Sequence, residues 1–500
     1  TVLSGKKLAE VKTWHKLNME VLQRTANRGS ISTGYDIDNS VKLEADNTEY
    51  LNRVIASGGN RKTWTISAWV KRTEISDASH GGGHTIFGVN VSGNEGTIVR
   101  FNTGTTAATL DTLQIDIGAG GTLSRSHTSQ VFRDTSAWYH IVLAVDTTQG
   151  TATDRFKLYV NGELVTSYYS RNNPAQNFDT SNNQADNSCT QHIGAYTVSG
   201  TAYGKFCGYI AEVNHVDGAA LAPTAFGEFD DDSGIWKPKK ASPTYGTNGF
   251  FLDFADSGNL GDDESGNGLD FTEVNIAAAD QATDTPTNNF STLNPLIEQG
   301  LIPARYTVSE GGTKQISTAD GYGCSVGTIG VSKGKWYFEA QFNSDGSGKH
   351  FGVIDEASFT TGTAFVDGIS PGQQAYGVSI FKNGGINVDG SYVPSYSFSS
   401  FTTETLGCAM DLDNNKLYFS RSGTYGNSGD PTSGATGTGA IPLSTAGRGT
   451  WFISTACYNG YAQTNQGGYT SYTISSPESD ENGYGTFEYA PPSGYYALCT

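Results

Sequence analysis

Charge is scarce in this chain. Charged residues make up 16% of its 500 positions, against about 25% in an average globular protein. Methionine occurs twice and cysteine six times. No two cysteines form a C-x-x-C pair, which argues against a zinc site, and six in 500 residues do not make a disulfide scaffold. The six are Cys189, Cys207, Cys324, Cys408, Cys457 and Cys499; Cys189 and Cys207 could pair across neighbouring strands, but free buried thiols are the preferred reading. No apolar run approaches the ~20 residues needed to span a bilayer. The opening Thr1-Val-Leu-Ser-Gly-Lys-Lys7 has no apolar stretch of the kind a secretory signal carries. Nucleophile elbow, H-E-x-x-H and Walker loop are all missing. Basic residues are also few: 31 Lys and Arg against 50 Asp and Glu give a net charge of −19, a field that repels nucleic-acid backbones.

What is present is glycine, 63 residues, with 26 Tyr and 24 Phe in a Thr-, Ser- and Asn-rich setting. Glycine supplies turns, and β-branched and aromatic residues fit pleated strands. The composition predicts an all-β, turn-rich protein of two to four domains.

One segment reads as helix. Over residues 3–25, Leu8, Val11, Trp14, Leu17, Val21 and Leu22 form a single apolar stripe, and Lys6, Lys7, Lys12, Lys16 and Arg24 make it basic. Residues 1–30 are therefore expected to be an amphipathic docking or oligomerisation helix, or one packed on its own domain. From about Ser40 the period becomes two. Ile66, Ala68 and Val70 alternate with polar or aromatic neighbours, Ile141–Val145 is apolar throughout, and Phe156-Lys-Leu-Tyr-Val runs into the turn pair Asn161-Gly162. Residues 256–305, with Asp262-Asp-Glu-Ser-Gly-Asn-Gly268 and three prolines, read as an extended surface linker. A second β block follows, with Trp336, Phe338, Ala340 and Phe342 on one face. Lys157-Leu-Tyr-Val and Lys416-Leu-Tyr-Phe each follow a buried strand and an acidic turn. The expected architecture is thus two antiparallel β-sandwiches, over 31–255 and 306–500.

Trp64–Val70, Ala137-Trp-Tyr-His-Ile-Val-Leu, Lys157-Leu-Tyr-Val-Asn-Gly and Gly208-Tyr-Ile-Ala-Glu-Val resemble a laminin-G-like, concanavalin-A-type domain. Ile329-Gly-Val-Ser-Lys-Gly-Lys-Trp-Tyr-Phe-Glu, Tyr376-Gly-Val, Ala409–Phe419 and Ala490-Pro-Pro-Ser-Gly-Tyr resemble a SPRY domain. The tandem, with Asn288-Asn-Phe-Ser-Thr-Leu-Asn-Pro-Leu between, is similar to marine bacteriophage fibre-type virion proteins. That resemblance implies two concanavalin-like sandwiches, exposure at a virion surface, homotrimeric assembly, attachment to other virion proteins and binding of a host glycan or receptor. A cellular surface adhesin is a rival reading. The family usually runs slightly past a segment like Tyr495-Tyr-Ala-Leu, so the natural chain is expected to extend beyond Thr500.

Chemistry-bearing strings are few. Glu44-Ala-Asp46-Asn-Thr-Glu49 spells the E-x-D-x-x-E of jelly-roll glucanases, in which one carboxylate attacks and another protonates. This is the catalytic alternative, but the spacers are not the apolar ones of a buried strand. Glu228-Phe-Asp230-Asp-Asp232 admits at most one weakly held calcium, and a solvated loop is preferred. Asp411-Leu-Asp413-Asn-Asn415 reads as a hairpin, His80 and His84 as a loop lacking a third metal ligand, and His140 as structural. Sugars stack on flat aromatic rings and bond to amides and hydroxyls. On that basis the loops Tyr425-Gly-Asn427 and Tyr458-Asn459-Gly-Tyr461 are the sequence-level candidates for ligand contact, with no catalytic residue, metal or cofactor assigned.

Overall fold

The structure, a computed structural model, describes residues 34–75, 82–90, 96–104, 106–185, 189–296, 306–343, 348–360, 371–373, 375–393 and 398–500. The helix expected over 3–25 lies outside them. Two compact units are present: Gly34–Ile316 with Tyr469–Ser471, and Ser317–Gly468 with Tyr472–Thr500. Both are built of predominantly antiparallel β-sheet. Among the described residues the α-helix Ala357–Thr360 has four residues, and no helix is long and apolar enough to cross a membrane.

The first unit contains, in chain order, β1 (Ser40–Leu43), β2 (Tyr50–Val54), β3 (Thr63–Arg72), β4 (His84–Asn90), β5 (Thr97–Phe101), β6 (Thr112–Ala119), β7 (Thr122–Val131), β8 (Tyr139–Asp146), β9 (Phe156–Val160), β10 (Glu163–Leu164), β11 (Tyr168–Ser170), β12 (Thr190–Ile193), β13 (Tyr196–Val198), β14 (Thr201–Tyr203), β15 (Gly208–Asp217), β16 (Gly227–Phe229), β17 (Trp236–Pro238), β18 (Phe250–Leu252), β19 (Thr272–Val274), β20 (Gln281–Ala282) and β21 (Tyr306–Ser309). One sheet runs β10-β9-β8-β3-β15-β1-β20, with β18 also on β15; the other runs β11-β7-β6-β5-β4-β12-β2-β19. Their inner faces meet in one core. Ile66, Ala68, Val70, Ile141, Leu143 and Leu158 come from the first sheet, and Phe87, Val99, Phe101, Leu113 and Ile115 from the second. Contacts across the gap include Phe101 with Tyr139, at 6.5 Å between ring centroids, and Phe87 stacked on His215 at 5.9 Å. Period-two alternation along β3 and β9, with the apolar run Ile141–Val145 of β8 between them, is the visible cause of this layering. The β9–β10 hairpin turns at Asn161 (φ 49°) and Gly162 (φ 81°), both left-handed, as the Asn-Gly signal predicts.

Where the sequence suggests a linker over 256–305, the structure differs. Residues 256–296 are woven into the first unit: β19 pairs with β2, β20 pairs with β1, and Leu260 and Phe271 are buried in the core. The reason is that few apolar anchors suffice when backbone pairing and buried polar groups do the rest. Ser40 Oγ donates to the carbonyl of Asp284 at 2.6 Å, and the Lys42 ammonium lies 2.8 Å from Asp280.

The second unit contains β22 (Lys314–Val326), β23 (Lys335–Phe342), β24 (His350–Asp355), β25 (Gly377–Phe381), β26 (Ile386–Val388), β27 (Ser391–Val393), β28 (Leu406–Asp411), β29 (Lys416–Arg421), β30 (Thr424–Tyr425), β31 (Ile441–Pro442), β32 (Trp451–Asn465) and β33 (Tyr496–Ala497). Its main path is β27-β26-β25-β24-β32-β23-β28-β29-β30. β32 pairs with β24 through Trp451–Ala456 and with β23 through Ala462–Asn465, so one bent strand serves both halves. Phe351 on β24 meets Phe338 on β23 at 5.8 Å and Phe419 on β29 at 6.2 Å across the core. Asp413 and its neighbours form the β28–β29 turn, where Asp411 accepts from the backbone and side chain of Asn414 at 3.0 and 2.8 Å. All six cysteines are buried and unbridged.

One strand of the first unit carries local strain. Glu212 sits at φ 51° in the bulge of β15, a conformation unfavourable for a non-glycine residue. Its buried carboxylate accepts from Tyr35 Oη at 2.8 Å. Burial, reinforced by the Asp253 charge, pushes Glu212 up to about 7 from its ordinary 4.5. The folded state therefore holds a proton that the unfolded chain has released, and stability is lost as pH rises from about 4.5 through 7. The expected loss is at most about 3 kcal/mol. Melting temperatures should fall between pH 5 and 8, and Glu212→Gln should flatten that slope; an unchanged slope would contradict this assignment.

Candidate functional site

The carboxylates of the catalytic alternative are committed elsewhere. Glu49 Oε2 accepts from the backbone N–H of Glu44 at 2.8 Å and lies 3.0 Å from the Lys42 ammonium. Glu44 accepts from the backbone N–H of Glu310. Glu44 and Glu49 are buried, whereas Asp46 is exposed. The arrangement is a buried clasp between the β1–β2 loop and the chain near residue 310, with Lys42 also 3.3 Å from Glu310.

A buried serine–histidine pair has the wrong tautomer for nucleophilic work. His140 is stacked on Trp69 at 4.5 Å, and its Nδ1 accepts from Trp236 Nε1 at 3.0 Å. The neutral ring must then carry its proton on Nε2, which faces Ser67 Oγ at 2.8 Å as a donor and cannot take the hydroxyl proton. Burial pushes His140 down to about 3, which keeps the ring neutral.

Metal-ligand candidates fare similarly. At the β16–β17 turn, Asp230 accepts from the backbone and hydroxyl of Ser233, both at 2.9 Å, and from the Lys237 ammonium at 3.0 Å. Those bonds hold its carboxyl below the usual range, and a lysine already stands beside the acidic run. Among the described residues, Glu74, His84 and Cys207 bring ligand atoms within 4.8 Å of one another. Ligands ~2.0–2.3 Å from a tetrahedral zinc lie closer together than that limit requires. The Arg72 guanidinium also sits 3.5 Å from His84 Nδ1, a poor neighbour for a cation.

The sequence-level contact loops are separate from one another. Tyr425 is half-buried on β30, its ring 6.5 Å from Tyr418, and Asn427 is exposed at φ 54°. Tyr458, Asn459 and Tyr461 lie at the bend of β32, where the Tyr461 N–H donates to Asn343 Oδ1 at 3.0 Å. β23, β28 and β29 stand between the two groups, a separation of about 19 Å at ordinary strand spacing. They do not form one site.

The outer face of the first unit's second sheet carries a mostly polar cluster, in which Gln114, Asp116 and His192 are buried and Arg125 is half-exposed. Strand register aligns Asn52, His192, Gly88, Ile98, Asp116 and Arg125 in one row across β2, β12, β4, β5, β6 and β7. Arg100, Gln114 and His127 form the adjacent row. Leu113, Ile115 and Ile117 between them point into the core, which turns Gln114 and Asp116 outward. Asp116 receives Arg125 in a fork, Nε at 2.8 Å and Nη2 at 2.9 Å, and Gln114 Nε2 at 2.9 Å. Arg100 lies 4.0 Å from Asp116, and its guanidinium stands over the Tyr196 ring at 5.6 Å with Nη1 donating to Tyr196 Oη at 3.3 Å.

The hairpin β13–β14 brings Tyr196 and Tyr203, stacked at 6.0 Å, over this face. Glycine makes that approach close. A Cβ at Gly88 would meet Tyr196 Cβ at 2.9 Å, and one at Gly204 would meet Tyr196 Cε1 at 2.7 Å. Two arginines against one aspartate leave one positive charge on a strongly acidic chain, and they contribute to lowering His127 below its ordinary value, burial being the largest cause. Arg125 is 46% exposed at its side chain and Tyr203 is 41% exposed, so the guanidinium N–H groups not taken by Asp116 and an aromatic ring are both open to a ligand. Sequence reading missed these residues. The available signal was that long polar side chains, rather than small ones, occupy the outward positions of β6 and β7.

No curated protein matches the sequence. Among solved structures, a human SPRY domain is similar at 11% identity, covering 32% of this chain and 94% of that one, with a TM-score of 0.23. A heptameric pentraxin from Limulus polyphemus is similar at 16% identity, covering 38% and 80%, with a TM-score of 0.27. A candidate carbohydrate-binding protein from Bacteroides ovatus is similar at 17% identity, covering 48% and 58%, with a TM-score of 0.34. Residues 9–223 match the family model of the concanavalin A-like lectin/glucanases superfamily, a similarity that the all-β fold of the first unit agrees with.

Proposed function

We propose that this chain is a non-enzymatic glycan-binding protein, and that its first unit holds acidic sugars on the Arg100–Asp116–Arg125 face beneath Tyr196 and Tyr203. The observation that carries this reading is a half-exposed arginine beside an aromatic pair, in a cluster of two arginines and one aspartate. Arginine binds carboxylates through paired N–H groups, and tyrosine stacks on sugar C–H faces. Against catalysis stands the commitment of Glu44 and Glu49 to backbone N–H groups and Lys42.

The test is a glycan array probed with the full chain. Uronate- or sialate-bearing glycans should be retained and their neutral counterparts should not; no retention of any acidic glycan would overturn the reading.

The tandem of laminin-G-like and SPRY-like segments further supports a bacteriophage fibre-type protein at the virion surface, anchored to other virion proteins by the basic segment 3–25 and assembled as a homotrimer. Light scattering of the full chain should return three times the monomer mass of 53.1 kDa. A monomer at micromolar concentration would remove the trimer.

A further inference from the structure

Lys71, on the outer face of β3, ends among buried polar groups. Its side chain is fully buried, and so is that of Asp284, whose Oδ2 lies 2.7 Å from the Lys71 Nζ. The same nitrogen lies 2.8 Å from Oδ1 of Asn289 and 2.6 Å from the carbonyl of Phe290. The walls are aromatic. Trp138 Nε1 donates to Asp284 Oδ1 at 2.9 Å, and the Tyr209 ring centroid is 5.9 Å from Nζ. Asn289 Nδ2 points the other way and donates to the carbonyl of Ser136 at 2.8 Å. An amine, a carboxamide and a carboxylic acid therefore meet in a water-poor pocket.

We propose that Lys71 and Asn289 are joined by a spontaneous amide cross-link, with Asp284 carrying the proton. The lone pair of Nζ attacks Cγ of Asn289, and a C–N bond forms. The neutral acid of Asp284 gives its proton to Nδ2 and is re-protonated from Nζ; the Cγ–Nδ2 bond breaks and ammonia leaves. No oxidant or cofactor is consumed, and the electron count is unchanged. Burial lowers Lys71 and raises Asp284, which favours the neutral amine and neutral acid that the step requires. A protonated acid is available for the departing nitrogen only because this aspartate is dry. The link would tie the segment carrying Asp284 and Asn289, remote in sequence, to a central strand of the sandwich.

Intact-mass measurement of the full chain decides this. The wild-type protein should weigh about 17 Da less than its sequence, the mass of one ammonia. A protease digest should contain a branched peptide joining Lys71 to Asn289. Asn289→Ala and Asp284→Asn should both restore the full mass. A wild-type mass equal to the sequence mass would overturn the proposal without reference to any variant. So would a deficit that persists in Asn289→Ala, or one of about 18 Da from a link to Asp284 with loss of water.

Discussion

Arg72→Ala is expected to destabilise the first unit by about 3–5 kcal/mol, the cost of breaking a buried ion pair from one side. Arg72 and Asp111 are both buried, 3.1 Å apart. The guanidinium also donates to the carbonyl of Phe132 at 2.6 Å and stands over Phe101 at 4.7 Å. Removing it takes a buried partner from Asp111, which Arg133 also holds at 2.8 Å from a half-exposed side chain. It also leaves the Phe132 carbonyl without that donor and opens a void beside Phe101. The melting temperature should fall by roughly 10 °C at this domain size. A drop worth less than about 1 kcal/mol would mean that the pair is screened by water and contributes as a surface pair does.

Tyr196→Ala is expected to weaken binding of an acidic glycan at least tenfold while leaving the melting temperature within a few degrees. The ring contributes stacking and holds Arg100 by a cation–π contact and a hydrogen bond. Together these are worth about 1–3 kcal/mol, and each 1.4 kcal/mol is a factor of ten in affinity. Tyr196 is only partly buried and its hairpin β13–β14 pairs with itself, so the core does not depend on it. Tyr196→Phe separates the parts: it should keep stacking and lose the bond to Arg100, giving an intermediate affinity. Equal binding by wild type and Tyr196→Ala would remove this hairpin from the site.

Local pattern made much of the fold readable. Ile66, Ala68 and Val70 alternate and face the core; Asn161-Gly162 turns as its left-handed preference dictates. What could not be read depends on partners far apart in sequence. Nothing in the local sequence around Lys42, Lys71 or Arg72 shows that Asp280, Asp284 and Asp111 will accompany them into the interior. The same long-range pairing explains why residues 256–296 look like a linker: their anchors, Leu260 and Phe271, are few, and the pairing of β19 with β2 is invisible locally. The candidate site was obscured for a related reason. Arg100, Asp116, Arg125 and Tyr196 lie on four different strands; the register of one sheet unites the first three, and the separate β13–β14 hairpin brings Tyr196 to them. Tyr425 and Tyr458, by contrast, stand out in sequence as aromatic residues beside Asn and Gly, yet the sheet order separates them.

Hydrogen–deuterium exchange of the full chain, with and without a retained acidic glycan, tests the central claim most directly. Protection should appear in Thr112–Val131 and Tyr196–Tyr203, and exchange around residues 425–427 and 458–461 should not change. Protection confined to those second-unit loops, with β6, β7 and the β13–β14 hairpin unaffected, would contradict the account.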